Sequence, residues 1–398
     1  MAAPAFLAPS LPSSFTFLRA LAPCARSRRR PLILRRRGSP CSLLAAPRMA
    51  VVPPPLNAPP PPTPLTSPLP SPPPVNDDVL PQRVYSTWQW RGYSINYRAP
   101  DEGTPPDAPP VLLIHGFGAS VFHWAKNIPA LAAAGSAVYA VDLLGFGASV
   151  KATEAPYSIE LWAELVTDFM AAHGGGRKWA LVGNSIGSLV ALTAADAAGP
   201  SAISGLALLN CAGGMTSFRP SEMGALPRAG LWFFSNVVLG EFWGPRFFAR
   251  FRTRKNIRSA LEQVYVNKTQ VTDALVEGLY APSLDDGACA VFLSILTGDA
   301  GPTPRALLGR LGWADVLVLW GREDPWTPLG GGASPGIRFE EWHGAEVTEV
   351  GGRSGTFRLT VLDGVGHCPH DDAPEQVNEA LVPFLQGLPY SDERAAST

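Results

Sequence analysis

Six short apolar runs punctuate the chain: Val111 to Ile114, Ala137 to Val141, Trp179 to Val182, Gly205 to Leu209, Val316 to Trp320 and Phe357 to Leu362. Each is too short for a typical helix and predicts a β-strand, buried on both faces where the apolar run is continuous. The last run alternates, with Phe357, Leu359 and Val361 apolar and Arg358 and Thr360 polar. Between the runs the period changes. Over 158–171, Ile159, Leu161, Trp162, Leu165, Val166, Phe169 and Met170 fall largely on one face of a helix. A further helix opens with Pro374 in its first turn and runs to Leu385. Upstream, Trp88 to Arg98 (WQWRGYSINYR) alternates as an antiparallel hairpin does. Strands separated by helices predict an α/β architecture, a mostly parallel sheet with helices on both faces. The interval from about 213 to 305 breaks the rhythm; it reads mainly as helices, with turns at Pro220, Pro245 and Pro282. An insertion there is expected to form a helical lid over the carboxyl ends of the strands, where open α/β sheets bind ligands.

Charge divides the chain. The first 76 residues carry nine arginines, including the runs 28–30 and 35–37, and no Asp or Glu. An arginine-rich, serine-containing, acid-free start without an uninterrupted apolar core predicts an organelle transit peptide over 1–48. Thirteen prolines and no charged residue over 49–75 predict an extended linker, taken to residue 80. The folded body is therefore expected over 81–398. Without the first 76 residues, 23 of the 32 basic residues remain against 33 acidic ones, a net charge of −10. An acidic body excludes the basic footprint that nucleic-acid binding needs. Of the five cysteines, Cys211, Cys289 and Cys368 lie in the body without C-x-x-C spacing, so neither a disulfide framework nor a zinc site is indicated.

The chemistry gathers at strand ends. Gly183-Asn184-Ser185-Ile186-Gly187 follows the Trp179 run and precedes a small-residue helical stretch from Ser188 to Ala198. A strand, a tight G-x-S-x-G turn and a helix form a nucleophile elbow, whose flanking residues must be small. A serine hydroxyl needs a base, and the base needs an orienting acid, in the chain order Ser, acid, His. Asp324 follows the Val316 strand and His367 follows the Phe357 strand. Glu323 competes for the acid role, but a neighbouring residue should point elsewhere. His370 competes for the base role, but His367 closes the Gly-x-Gly-His turn. The backbone N–H groups of Phe117, in Ile114-His115-Gly116-Phe117-Gly118, and of Ile186 are expected to form an oxyanion hole. His115 reads as a loop support, His123, His173 and His343 as surface or structural residues, and Cys368 as packing. Such a site requires no metal or organic cofactor. An Asp at position 185 would have suggested a dehalogenase or epoxide hydrolase; the serine argues against both.

Together these parts resemble the α/β-hydrolase fold over about residues 84–388. Finer stretches narrow the resemblance: LNCAGGM at 209–215, YVNKTQVTDALVEGLYAP at 265–282, VFLSILTGDAGPTP at 291–304 and LDGVGHCPHDDAPEQVN around His367. These are similar to the plant and algal chlorophyll dephytylases, with pheophytinases as more distant relatives. The resemblance implies hydrolysis of the phytyl ester of chlorophyll in the plastid, on the stromal side and peripherally at the thylakoid, with Ser185, Asp324 and His367 as the catalytic residues. Residues 329–356 depart from it, being Gly-rich where a compact helix and short loop would stand. A plastid lipase or carboxylesterase acting on galactolipid, or a hydrolase-shaped ligand receptor, could carry the same three residues. Leu231, Trp232, Phe233, Phe234, Trp243, Phe247 and Phe248 are candidates for an apolar channel. Six basic residues and no acidic one from Arg246 to Arg258, interleaved with phenylalanines, are a candidate membrane-docking segment.

Overall fold

Among the described residues, eight strands form a single sheet and lie side by side in the chain order 1-2-4-3-5-6-7-8. The computed structural model describes residues 85–216, 243–329 and 355–390, together with 224, 226, 229, 230 and 233. The expected transit peptide 1–48, the linker 49–80, nearly all of 329–356, Pro220, His343, Leu231, Trp232 and Phe234 lie outside the described residues.

The hairpin comprises β1 (Ser86–Trp90) and β2 (Tyr93–Arg98), joined through Arg91 and Gly92. β3 (Pro110–Ile114), β4 (Ala137–Val141), β5 (Trp179–Asn184), β6 (Ile203–Leu209), β7 (Asp315–Gly321) and β8 (Phe357–Leu362) pair in parallel, and β2 joins β4 antiparallel. The helices of the described residues include α1 (Ile128–Ala133), α2 (Ile159–His173), α3 (Ile186–Ala198), then α4 (Gly244–Phe251), α5 (Arg254–Val264), α6 (Asp273–Tyr280), α7 (Ala288–Thr297) and α8 (Pro304–Leu308) between β6 and β7, and finally α9 (Pro369–Asp372) and α10 (Pro374–Gln386). All six strands expected from apolar runs form, and each strand end shifts by two residues or fewer. Helix α3 starts two residues before the expected Ser188, directly after the serine.

Alternation within the buried strands builds two cores. Leu112, Leu181, Leu206, Val318 and Trp320 face α2, α3 and α8, whereas Val111, Val182, Leu209, Leu317 and Leu319 face α1 and α10. Period two across strands with helices on both faces accounts for this division. Ser158 caps α2 by accepting the Leu161 N–H at 3.1 Å, which sets where the apolar face begins. Phe169 then anchors α2 to the sheet: its ring lies 5.2 Å from Tyr97, 5.9 Å from Tyr139 and 6.2 Å from Trp179, and His173 stacks on it at 4.1 Å. No single described helix is long and apolar enough to cross a membrane. Phe169→Ala should lower the unfolding free energy by about 3–5 kcal/mol, seen as a lower urea midpoint at unchanged slope.

Candidate functional site

Ser185 is the only residue between β5 and α3. Its φ of 55° and ψ of −120° lie in a region that side-chain-bearing residues rarely occupy, at a cost on the order of 1–3 kcal/mol. The surroundings hold it there. Its N–H donates to the Leu209 carbonyl at 2.9 Å, and its carbonyl accepts from Ser188 and Ala212, both at 3.1 Å. A Cβ at Gly183 would overlap the Gly187 backbone, and one at Gly187 would be driven into the Ile114 and His115 carbonyls. Both glycines are therefore required by close approach of β3, β5 and α3.

The structure brings Ser185, His367 and Asp324 together. His367 Nε2 lies 2.9 Å from Ser185 Oγ, and Nδ1 lies 2.7 Å from Asp324 Oδ2. Asp324 is buried, yet both its oxygens are occupied. Oδ1 accepts the N–H groups of Trp326 at 2.8 Å and Thr327 at 3.0 Å. Oδ2 also accepts from the Thr327 hydroxyl and, at 2.6 Å, from Asn210 Nδ2. Burial pushes the carboxyl pKa up, but the facing imidazole and the Thr327 hydrogen bonds outweigh it and hold it down at about 2. Such a chain can pass a proton from a hydroxyl to an imidazole whose orientation is fixed.

The competitors point elsewhere. Glu323 accepts the Val365 N–H at 3.0 Å. His370 is buried against Trp124 and His123, with ring centroids 4.2 and 4.5 Å away. His115 Nε2 accepts the Leu143 N–H at 3.0 Å, a loop support. His173 closes the end of α2 against the Phe169 carbonyl. Cys368 packs with Leu261, Val264 and Tyr265, and burial pushes its thiol pKa well up. Ile186 opens α3, where an N–H has no acceptor within the helix. A Cβ at Gly116 would meet the Ser185 Cβ at 3.3 Å, so the turn bearing Phe117 lies against the serine.

Several supporting residues escaped the sequence reading. Asn210, at φ 41°, donates to Asp324 and accepts the Gly321 N–H at 2.9 Å, tying β6 to β7 at the site. Asn184 Nδ2 donates to the His367 carbonyl at 3.1 Å and the Leu209 carbonyl at 3.2 Å. A polar residue at the end of a fully apolar strand was the available signal for both. The lid also grips the histidine loop: the His367 N–H donates to the Val264 carbonyl at 2.8 Å, and the Asp372 carboxylate accepts from Val266, Asn267 and Gly366. Beside it, Tyr265 donates to Asp371 at 2.8 Å while lying 2.7 Å from His123 Nε2, and Lys126 pairs with Asp371 at 2.7 Å. Burial, its largest cause, lowers the His123 pKa to about 4, so this ring is neutral and donates to the tyrosine oxygen.

Ser185 and His367 stand in the wall of an open cleft, about 1210 Å³ when the space open to solvent is counted, whose other lining is largely apolar and includes Phe117, Phe146, Phe248, Phe251 and Phe292. Of the expected channel residues, Phe248 lines it, whereas Phe233, Trp243 and Phe247 are exposed. For Phe247 and Phe248 the difference follows from helix phase: one face of α4 turns Phe248 inward and leaves the neighbouring ridge outside.

Because the Asp324 pKa falls from 3.8 to about 2 on folding, the carboxylate contributes on the order of 2 kcal/mol of stability. The sign is that of a depressed acid: the contribution is complete above the unfolded value and lost as pH falls through the folded one. In urea unfolding, the stability gap between wild type and Asp324→Asn should narrow between about pH 4 and pH 2. A constant gap would show that this ionisation is not linked to folding.

The comparisons with known proteins place the fold. The chloroplastic pheophytinase of Arabidopsis thaliana is 28% identical over 321 residues, covering 71% of this chain and 62% of that protein. The dihydrolipoyllysine-residue acetyltransferase component of the acetoin cleaving system of Pseudomonas putida is 26% identical, covering 70% and 63%. The chain thus spans about three-fifths of the length of these two relatives. Epoxide hydrolase A of Mycobacterium tuberculosis is 28% identical, over 72% of this chain and 93% of that protein. The solved meta-cleavage product hydrolase of Pseudomonas fluorescens IP01 superposes with a TM-score of 0.56 at 23% identity, covering 76% and 98%, a likeness of fold. With residues 111–380 matching the Alpha/beta hydrolase family over the parallel strands, elbow and histidine loop, the chain belongs to that family.

Proposed function

We propose that this chain is a serine ester hydrolase that cleaves the phytyl ester of chlorophyll, giving chlorophyllide and phytol. The observation that carries the reading is the placement of Ser185 and His367 in the wall of a mainly apolar cleft. Each methylene that leaves water contributes roughly 0.8 kcal/mol, so such a cleft favours an ester with a long hydrocarbon chain. The lid motifs similar to dephytylases and the pheophytinase relative support the same substrate class. The chloroplast location of that pheophytinase and the arginine-rich start support a chloroplast address, and the proposed place of action there is the stromal face of the thylakoid. Serine at the elbow argues against the epoxide chemistry of the mycobacterial relative.

The residues divide the reaction. His367 Nε2 takes the Ser185 proton as the oxygen attacks the ester carbonyl carbon. The N–H groups of Phe117 and Ile186 receive the negative charge on the carbonyl oxygen, an effect worth about 3 kcal/mol per donor. His367 returns the proton to the departing phytol oxygen. Water then adds to the acyl-enzyme with His367 again as base, releasing the chlorophyllide carboxyl group. Asp324 fixes the imidazole tautomer and stabilises its charged form throughout.

Offered chlorophyll a, pheophytin a and a galactolipid separately, the full chain should release phytol from a pigment, and Ser185→Ala should lower the rate by a factor on the order of 10⁴ or more. Wild type acting on the galactolipid alone would refute the pigment reading, and full activity in Ser185→Ala would refute the mechanism. Asn210→Ala should lower kcat about tenfold or more with little change in KM, because it frees the acid rather than the cleft. A change confined to KM would move Asn210 out of that role.

A further inference from the structure

Helix α4 presents two parallel ridges to solvent. Trp243, Phe247 and Phe251 recur every fourth residue and are 57%, 42% and 38% exposed, while Phe248 turns inward at 5%. Arg246 and Arg250 recur at the same interval one position away, and Lys255 follows at the start of α5. Positions four apart share a helix face, so an aromatic ridge runs beside a basic one. The exposed rings are not isolated. Phe247 and Phe251 lie 6.3 Å apart, and both approach Phe292, at 6.5 and 5.4 Å. Phe292 lines the cleft and lies 5.8 Å from Phe117, which lies in the turn against Ser185. The aromatic ridge therefore continues through the mouth of the cleft to the serine.

We infer that α4 is the docking face for an anionic lipid bilayer and that ester substrate passes from the bilayer into the cleft along Phe251, Phe292 and Phe117. Charge selects this face. A body of net charge −10 is repelled by an anionic surface except where a basic patch leads. Basic side chains beside exposed aromatics are the composition of a helix that lies in a membrane interface. The structure also narrows the basic segment. Arg254 is held by Glu277, Arg258 by Asp273 and the Val271 carbonyl, and Arg252 donates to the Ser283 carbonyl on the cleft side. Arg250 and Lys255 are exposed and have no ion-pair partner among the described residues. The route, though not the docking, rests on the proposed action on a membrane-resident ester.

The test is local, because the arginine-rich start of the full chain can itself adhere to anionic vesicles. Amide hydrogen exchange of the full chain is followed by mass spectrometry with phosphatidylcholine vesicles, alone or mixed with phosphatidylglycerol. Exchange over 243–255 should slow about tenfold with the mixed vesicles only, and added salt should reverse this. Arg250→Glu with Lys255→Glu, and separately Trp243→Ser, should remove that protection. The charge variant should hydrolyse a water-soluble short-chain ester as wild type does, while losing about tenfold on ester embedded in the mixed vesicles. Protein that sediments with vesicles without protection of 243–255 would overturn the inference. Equal protection by neutral vesicles, or protection that grows with protein concentration without vesicles and marks a second copy, would do the same. Protection without hydrolysis of either pigment or galactolipid would leave the docking face standing and refute the proposed function.

Discussion

Three backbones meet at Ser185 so closely that no side chain fits at either flanking glycine. A Cβ on Gly187 would strike the carbonyls that end β3, and one on Gly183 would strike α3 itself. This close packing has two consequences. It forces the serine into its positive-φ conformation, which lifts the side chain clear of sheet and helix alike. It also draws the Gly116 turn, which leads into Phe117, against the serine. The strain is held by the Ser185 N–H donating to the Leu209 carbonyl and the Ser185 carbonyl accepting from Ser188 and Ala212, all buried, so relaxing the serine would leave several polar groups unpaired.

The same economy governs the far side of the site. A buried carboxylate is tolerated only when its oxygens are occupied, and Asp324 is supplied from three elements: Trp326 and Thr327 on its own loop, Asn210 after β6 and His367 after β8. The acid thereby orders the strand ends that carry its partners. The lid is fastened into this arrangement rather than merely laid over it. Its 264–267 segment holds the His367 loop through the Val264 carbonyl and the Asp372 carboxylate. Displacement of that lid segment would therefore be felt at the imidazole as well as at the mouth of the cleft.

The sheet was legible because parallel strands buried on both faces are short unbroken apolar runs, and the helix between 158 and 171 because one face repeats in apolar residues. The residues of the site were legible for a different reason. Ser185, Asp324 and His367 each follow such a run, and the elbow glycines mark a turn that other residues cannot make. Asn184, Asn210 and Tyr265 were not, because their partners lie 183, 114 and 106 positions away along the chain, and a hydrogen bond across the fold leaves no period in the sequence. The lid aromatics were identified in kind but not in direction. Adjacent phenylalanines such as Phe247 and Phe248 are indistinguishable by composition, and only the phase of α4 sends one outward and the other into the cleft.

That phase gives the cleft its asymmetry. On the Asp324 side of Ser185 both carboxylate oxygens are engaged in hydrogen bonds that fix geometry; on the lid side the wall is mainly aromatic and aliphatic. An apolar occupant would exclude water from the second side and lower the local dielectric around the first, which strengthens the interaction of Asp324 with a forming imidazolium. In the proposed reaction the hydrocarbon chain would therefore do more than supply affinity. By drying the cleft it would raise the electrostatic contribution of a carboxylate that its neighbours already hold ionised. A short soluble ester, leaving the lid side wet, would use the same three residues with less effect.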